Sequence, residues 1–168
     1  MGWLNICIYP DPVLKKKAED VSDIDQVLCN LIKDMTDTMY SAPGVGLAAP
    51  QVGISSRLVV IDHSLGQRRL PLVMINPRII TAEGTAYEEE GCLSLPDAYG
   101  KVKRARKVEV EFIDPKGKER RLVAEDMLAR VFQHEIDHLE GVLFIDRMNS
   151  FYRNLLRRHY LKKMQKKR

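Results

Sequence analysis

The stretch Glu125-Asp126-Met127-Leu128-Ala129-Arg130-Val131-Phe132-Gln133-His134-Glu135-Ile136-Asp137-His138-Leu139-Glu140, closed by Gly141, decides the reading of this chain. It is expected to be helical from about Glu125 to Glu140, with Gly141 placed to end the helix in the left-handed conformation. Inside it His134-Glu135-Ile136-Asp137-His138 forms an H-E-x-x-H pattern. Two imidazoles four residues apart on a helix point the same way, so both can ligate one cation. Glu135 projects at a neighbouring angle, close enough to take a proton from metal-bound water without being a ligand. The plain alternative is a solvated helix with scattered His and Glu, and residues elsewhere must choose between the two.

A catalytic ion of this kind usually has three protein ligands and one open position. In one large protease class the pattern extends to a Gly and then a third His. Here Gly141 stands at the expected place, but the next position is Phe144, which cannot bind metal. In another class a downstream Glu completes the set, yet no glutamate follows Glu140. Ordinary zinc proteases are therefore disfavoured. An upstream thiolate remains, and Cys92 lies in Glu90-Gly91-Cys92-Leu93-Ser94-Leu95-Pro96, a Gly-containing stretch able to expose backbone to a ligand. Cys29, inside a helix, and Cys7, among apolar neighbours, read as small buried hydrophobes.

Outward from this centre, Ile24, Val27, Leu28, Leu31, Ile32, Met35 and Met39 keep the spacing of one helical face over Ile24 to Tyr40, with Asp23 as cap. Pro43-Gly44 and Gly46 open a loop, and Arg57 to Ile61 and Leu70 to Ile75 read as strands. Val108, Val110 and Phe112 alternate with glutamates, Asp114-Pro115-Lys116-Gly117 turns, and a strand returns over Arg120 to Val123. A third helix occupies the basic tail. The chain reads as one α+β domain over residues 1–168, with mainly antiparallel strands and a basic C-terminal helix at about 150–168.

The composition agrees. With 168 residues, 45% of them hydrophobic, the chain can bury one substantial core. No apolar run approaches the roughly 18 residues that cross a bilayer, and the start lacks a basic segment followed by an apolar one, so neither membrane insertion nor export is expected. Gly2 is a poor myristoylation signal because Ile6 stands where Ser or Thr is wanted. Three cysteines are too few and too odd for a disulfide framework, which points to a reducing cytoplasm. Much of the net charge of +4 sits in the tail, on Arg153, Arg157, Arg158, Lys162, Lys163, Lys166, Lys167 and Arg168.

Three motifs in order carry a resemblance. Gly44-Val45-Gly46-Leu47-Ala48-Ala49-Pro50-Gln51, Glu90-Gly91-Cys92-Leu93-Ser94 and His134-Glu135-Ile136-Asp137-His138 resemble the three motifs of the peptide deformylases, and the flanking helices look like that family too. The resemblance implies antiparallel sheets around a central metal-binding helix. It implies that Cys92, His134 and His138 bind the metal, and that Glu135 is the general acid and base. It further implies that Gln51 and the backbone N–H of Leu93 form an oxyanion hole. The family normally uses Fe²⁺ and accepts Zn²⁺, Ni²⁺ or Co²⁺. The activity implied is removal of the formyl group from the N-terminal methionine of nascent polypeptides, in the bacterial cytoplasm.

The physical reading agrees with that chemistry, since a metal lowers the pKa of bound water and a carboxylate can carry the proton. The Gly-rich loop lacks the lysine followed by Ser or Thr of a phosphate loop, so no nucleotide is expected. Methionine needs an apolar pocket, and the resemblance implies Val45, Gly46, Gly91, Met127 and Val131 as the candidates to line it. Arg130 stands out among them. Glu90 beside the thiolate needs a cationic partner, either Arg104 or Arg106. The charge of the basic tail reads by itself as a solvated surface, and the resemblance implies docking near the ribosomal exit tunnel, where RNA phosphate is dense. Two rival readings are a different metal amidase and a structural zinc site closed by His63 or His159.

Overall fold

The computed structural model describes residues 2–167; Met1 and Arg168, the latter counted in the basic tail above, lie outside them. Helix α1 runs Gln26–Ser41. It begins two residues later than the apolar periodicity suggests, because Asp25 rather than Asp23 caps it, accepting a bond from the Leu28 N–H at 2.8 Å. Strands β1 (Gly46–Ala48), β2 (Leu58–Asp62), β3 (Pro71–Glu83), β6 (Lys107–Ile113) and β7 (Glu119–Glu125) form an antiparallel sheet in the order β1-β2-β3-β6-β7. Between β3 and β6 the chain makes a separate hairpin, β4 (Ala86–Cys92) and β5 (Leu95–Arg104). Helices α2 (Asp126–Leu139) and α3 (Ser150–Lys166) follow.

The hairpin expected around Asp114 is β6–β7, with the turn closed by Gly117 N–H to Asp114 C=O at 2.9 Å. Strand β3 extends eight residues beyond the expected Ile75. Its outer half is exposed and bends at two register shifts against β6, so no apolar alternation betrays it.

Strand β2 is buried on both faces and explains how the helices are placed. Val59 and Ile61 join Met74, Val108, Val110 and the α2 residues Ala129, Phe132 and Leu139. Leu58 and Val60 turn the other way, into a cluster with Leu28, Met35 and Met39 of α1. Each fully buried aliphatic side chain contributes roughly 1.5–3 kcal/mol of transfer free energy, so this strand clamps both helices to one sheet. A third cluster joins Leu95, Ala98 and Val102 of β5 to Phe144 and to Tyr160 of α3.

Helix α2 ends as the sequence suggests. Gly141 has φ +71°, and a Cβ there would collide with the Lys15 carbonyl, so a side chain is excluded by conformation and by space. Cys29 departs from expectation: it is exposed, because it lies on the side of α1 turned from the sheet. Cys7 is half-buried and packs against the third cluster.

Candidate metal centre and cavity

Because α2 lies under the sheet and against the β4–β5 hairpin, every residue from Ala129 to Leu139 is buried, including His134, Glu135 and His138. Cys92 ends β4, and the two-residue turn Leu93–Ser94 returns the chain into β5. One ligand atom each from Cys92, His134 and His138 lies within 4.8 Å of the others. The Cys92 Sγ to His138 Nε2 separation is 3.4 Å. A tetrahedral ion with bonds of about 2.3 Å to sulfur and 2.0–2.1 Å to nitrogen would hold such atoms about 3.6 Å apart, so the donor set fits a single divalent ion.

The ring of His134 is held from behind. Its Nδ1 meets Glu90 Oε2 at 2.9 Å, which leaves Nε2 for the centre, and Phe144 stacks on its face at 6.3 Å between centroids. Phe144, which stands where a protease would place a third His, thus supports one imidazole. Burial works against a charged His134, but hydrogen bonding to Cys92 and Glu90 overcomes it and raises the ring's proton affinity, the usual effect of a carboxylate behind a metal-binding imidazole. His138 moves the opposite way, its proton affinity lowered by burial and by the neighbouring His134 charge.

Glu90 is the hub of this support. Arg104 grips it with two bonds, Nε to Oε1 at 2.8 Å and Nη2 to Oε2 at 3.1 Å, and also reaches Asp137. Arg130 donates to Glu90 Oε1 at 2.7 Å and to the carbonyls of Val102 and Ala86. Asp137 is held in turn by Arg147, at 2.7 Å. Burial alone would raise the Glu90 carboxyl, but the hydrogen bonds of His134 and Arg104 hold it far below the usual carboxylate range. Of the two cations expected opposite Glu90, Arg104 is the partner. Arg106 is exposed and faces Asp126 instead. Arg130, anomalous in an apolar pocket, is explained as the second cation on Glu90; its spacing four residues before His134 was the available signal.

Glu135 occupies the space that Gly46 leaves free. A Cβ at residue 46 would lie 2.8 Å from the Glu135 carboxyl carbon. Burial pushes the Glu135 carboxyl up to about 7, and its Oε2 has no hydrogen-bond partner among the described residues. Gln51 sits in the short turn Ala49–Val52. Its Oε1 accepts from the Ala48 N–H at 2.9 Å, which turns its amide nitrogen towards Cys92 Sγ, 3.5 Å away, and Ser94 Oγ, 3.3 Å away.

A cavity of about 450 Å³ opens over these groups. Val45, Gly46, Gly91, Met127 and Val131, the residues named from sequence, all line it, as do Leu93 and Gln51. Leu95, Asp97 and Tyr99 of β5 line it as well, and these the sequence reading did not single out. His63 and His159 are exposed and lie outside the thiolate–imidazole cluster. Among the described residues no helix is long and apolar enough to cross a membrane.

A cysteine sulfur, two imidazoles and a buried carboxylate facing an open cavity are the groups and the layout of a metal-dependent hydrolase. The polypeptide deformylase family profile matches residues 3–154. A peptide deformylase of Syntrophobacter fumaroxidans is 48% identical over 98% of this chain and 97% of its own, and one of Acidobacterium capsulatum is 52% identical over 94% and 93%. The crystal structure of a peptide deformylase from Legionella pneumophila superposes with a TM-score of 0.91 at 44% identity, covering 99% of both chains. The chain belongs to the polypeptide deformylase family, metal-dependent hydrolases that remove the N-formyl group from nascent polypeptides and release formate.

Proposed function

We propose that Cys92, His134 and His138 hold one divalent ion and that Glu135 moves the proton of the reaction, with the formyl-methionine end of the substrate in the cavity above them. The observation that carries this reading is the gathering of three donors within 4.8 Å beside a buried carboxylate oxygen that has no hydrogen-bond partner among the described residues. When bound, the ion supplies Lewis-acid polarisation and water activation near neutral pH. Glu135 takes the proton of the attacking water and delivers it to the leaving amine. The Gln51 amide, fixed by its bond to Ala48, and the Leu93 N–H in the adjoining turn donate to the oxygen on which charge develops. Val45, Met127 and Val131 supply the apolar wall for the methionine side chain, with Gly46 and Gly91 keeping the entrance open.

We propose Fe²⁺ as the ion in the cell, with Zn²⁺, Ni²⁺ and Co²⁺ as substitutes; a cysteine sulfur with two imidazoles suits all of them. The free cysteines and the bacterial relatives support a bacterial cytoplasmic setting. Exposed cations along α3 support docking near the ribosomal exit tunnel. The decisive test is formate release from formyl-Met-Ala-Ser by anaerobically purified protein, with metal content measured. Release is expected from the wild type, and its absence from metal-loaded protein would overturn the site reading. For the tail, replacing Arg157, Arg158 and Lys162 by Glu is expected to weaken ribosome co-sedimentation, and affinity indifferent to salt would count against docking.

A further inference from the structure

Tyr99 has two sides. One lines the cavity over the metal centre, where its ring lies so close to Gly91 that a Cβ there would sit 2.7 Å from it. The other opens onto a second depression, of about 790 Å³, between the β4–β5 hairpin and α3. Its floor is Met148 and Leu156, and its walls are Tyr87, Tyr99, Tyr152 and Leu155, each more than half exposed. Four large side chains held in water around one groove are the mark of a binding surface.

We infer that this groove is an exosite for the part of the substrate chain that follows the formyl-methionine, and that it prefers an extended peptide bearing aromatic or large aliphatic side chains. The inference rests on the reading that the cavity holds the formyl-methionyl end. A nascent chain anchored beside Cys92 has to leave the cavity, and Tyr99, paired in register with Gly91 next to Cys92, stands at the exit shared by both depressions. An extended chain advances about 3.3–3.6 Å per residue, so a peptide of eight residues spans at most about 26–29 Å and can pass from the cavity over the shared Tyr99 into the groove. The groove offers Lys101, Asn149 and His159 as donors for peptide carbonyls, and no carboxylate lines it. A second copy of this chain is the competing occupant.

The test compares formyl-Met-Ala-Ser with two octapeptides that begin with it, one continued by Phe and Leu and one continued by Gly and Ser only, at matched metal content. Burial of one large apolar side chain is worth about a factor of ten. The expected result is a KM about tenfold lower for the apolar octapeptide with kcat little changed, and tripeptide-like behaviour of the Gly/Ser octapeptide. Leu155→Asp and, separately, Tyr152→Ser are expected to abolish the gain while leaving tripeptide kinetics unchanged; both side chains are exposed, so the fold survives. Equal KM for the three substrates, or a gain that persists in both variants, overturns the exosite. Failure of the wild type to cleave even the tripeptide overturns the cavity reading, and the exosite falls with it. A dimer seen by sedimentation and dissolved by Leu155→Asp assigns the groove to a second copy and overturns the peptide assignment.

Discussion

Helices α2 and α3 are both charged, yet they sit at opposite depths. In α2 eleven consecutive residues are buried, Arg130, Glu135 and Asp137 among them. In α3, three residues longer, only Tyr160 is buried. The difference lies in partners. Arg130 and His134 meet Glu90, and Asp137 meets Arg104 and Arg147, so α2 goes under the sheet with its charges compensated across three separate segments of chain. Among the described residues the cations of α3 and its cap form ion pairs with Asp97 alone, through Lys163 and Lys167. A helix can therefore be sunk into a core with charges on it, provided the rest of the fold supplies the counter-charges. One without them stays at the surface whatever apolar residues it carries.

The sharpest test of this contrast is chemical. Glu135→Gln keeps the shape of the α2 side chain and removes its proton-carrying ability. Formate release is expected to fall about 10²–10⁴-fold, with metal content and melting temperature close to wild type. A variant that retained full activity would remove Glu135 from the reaction and leave its burial unexplained.

Next in size is the hub. Glu90→Gln removes the negative charge facing Arg104 and Arg130, and breaking a buried pair from one side costs about 3–5 kcal/mol. A lowered melting temperature is expected, together with metal retention weakened about 10–100-fold in chelator competition, because the His134 ring loses its support. Unchanged melting and unchanged metal retention together would show that α2 is held by apolar packing alone.

These same residues show where the sequence is legible. The H-E-x-x-H pattern is local and helical, so its spacing alone places both imidazoles on one side. The β6–β7 hairpin is legible because Val108, Val110 and Phe112 alternate and a turn sequence follows. The β4–β5 hairpin is not. Its buried positions in β4 and β5 include Glu90 and Arg104, and Leu95, Ala98 and Val102 fall three and then four residues apart, so no two-residue apolar period runs through it. That hairpin carries Cys92, Tyr99 and the counter-charges of α2. The need of Glu90 for a cation could be read from its place beside Cys92, but whether Arg104, Arg106 or Arg130 meets it depends on which way β5 faces and how α2 lies across it. Cys29 failed for a simpler reason: membership of a helix does not say which side of it a residue occupies.

On the α3 side the largest effect belongs to Tyr160. Its ring packs on Tyr9 at 6.0 Å between centroids and belongs to the cluster with Leu95 and Phe144. Tyr160→Ala is expected to cost about 3 kcal/mol through the cavity it leaves. Tyr160→Phe, which loses only the long bond from the hydroxyl to the Tyr9 carbonyl at 3.4 Å, is expected to cost about 1 kcal/mol or less. Equal losses in chemical denaturation would mean that the hydroxyl, and not the ring, fastens the helix.

The smallest effect is expected at Lys163. Its ammonium lies 3.1 Å from Asp97, a cavity-lining residue, and so offers a visible link from α3 to the rim of the active site. Both partners are exposed, however, and the attraction between exposed charges is largely offset by the order it imposes on two side chains and is screened by salt. The hydrogen bond from Lys163, and then the charges of Lys163 and Lys167, hold the Asp97 carboxyl below its usual range. Lys163→Ala is therefore expected to leave melting temperature and tripeptide kcat/KM within experimental error, and raising the salt concentration on the wild type should do no more. If instead the variant altered kcat/KM while stability held, the contrast between the two helices would have to be redrawn: a surface helix would be setting the shape of the cavity rim through solvated ion pairs to Asp97.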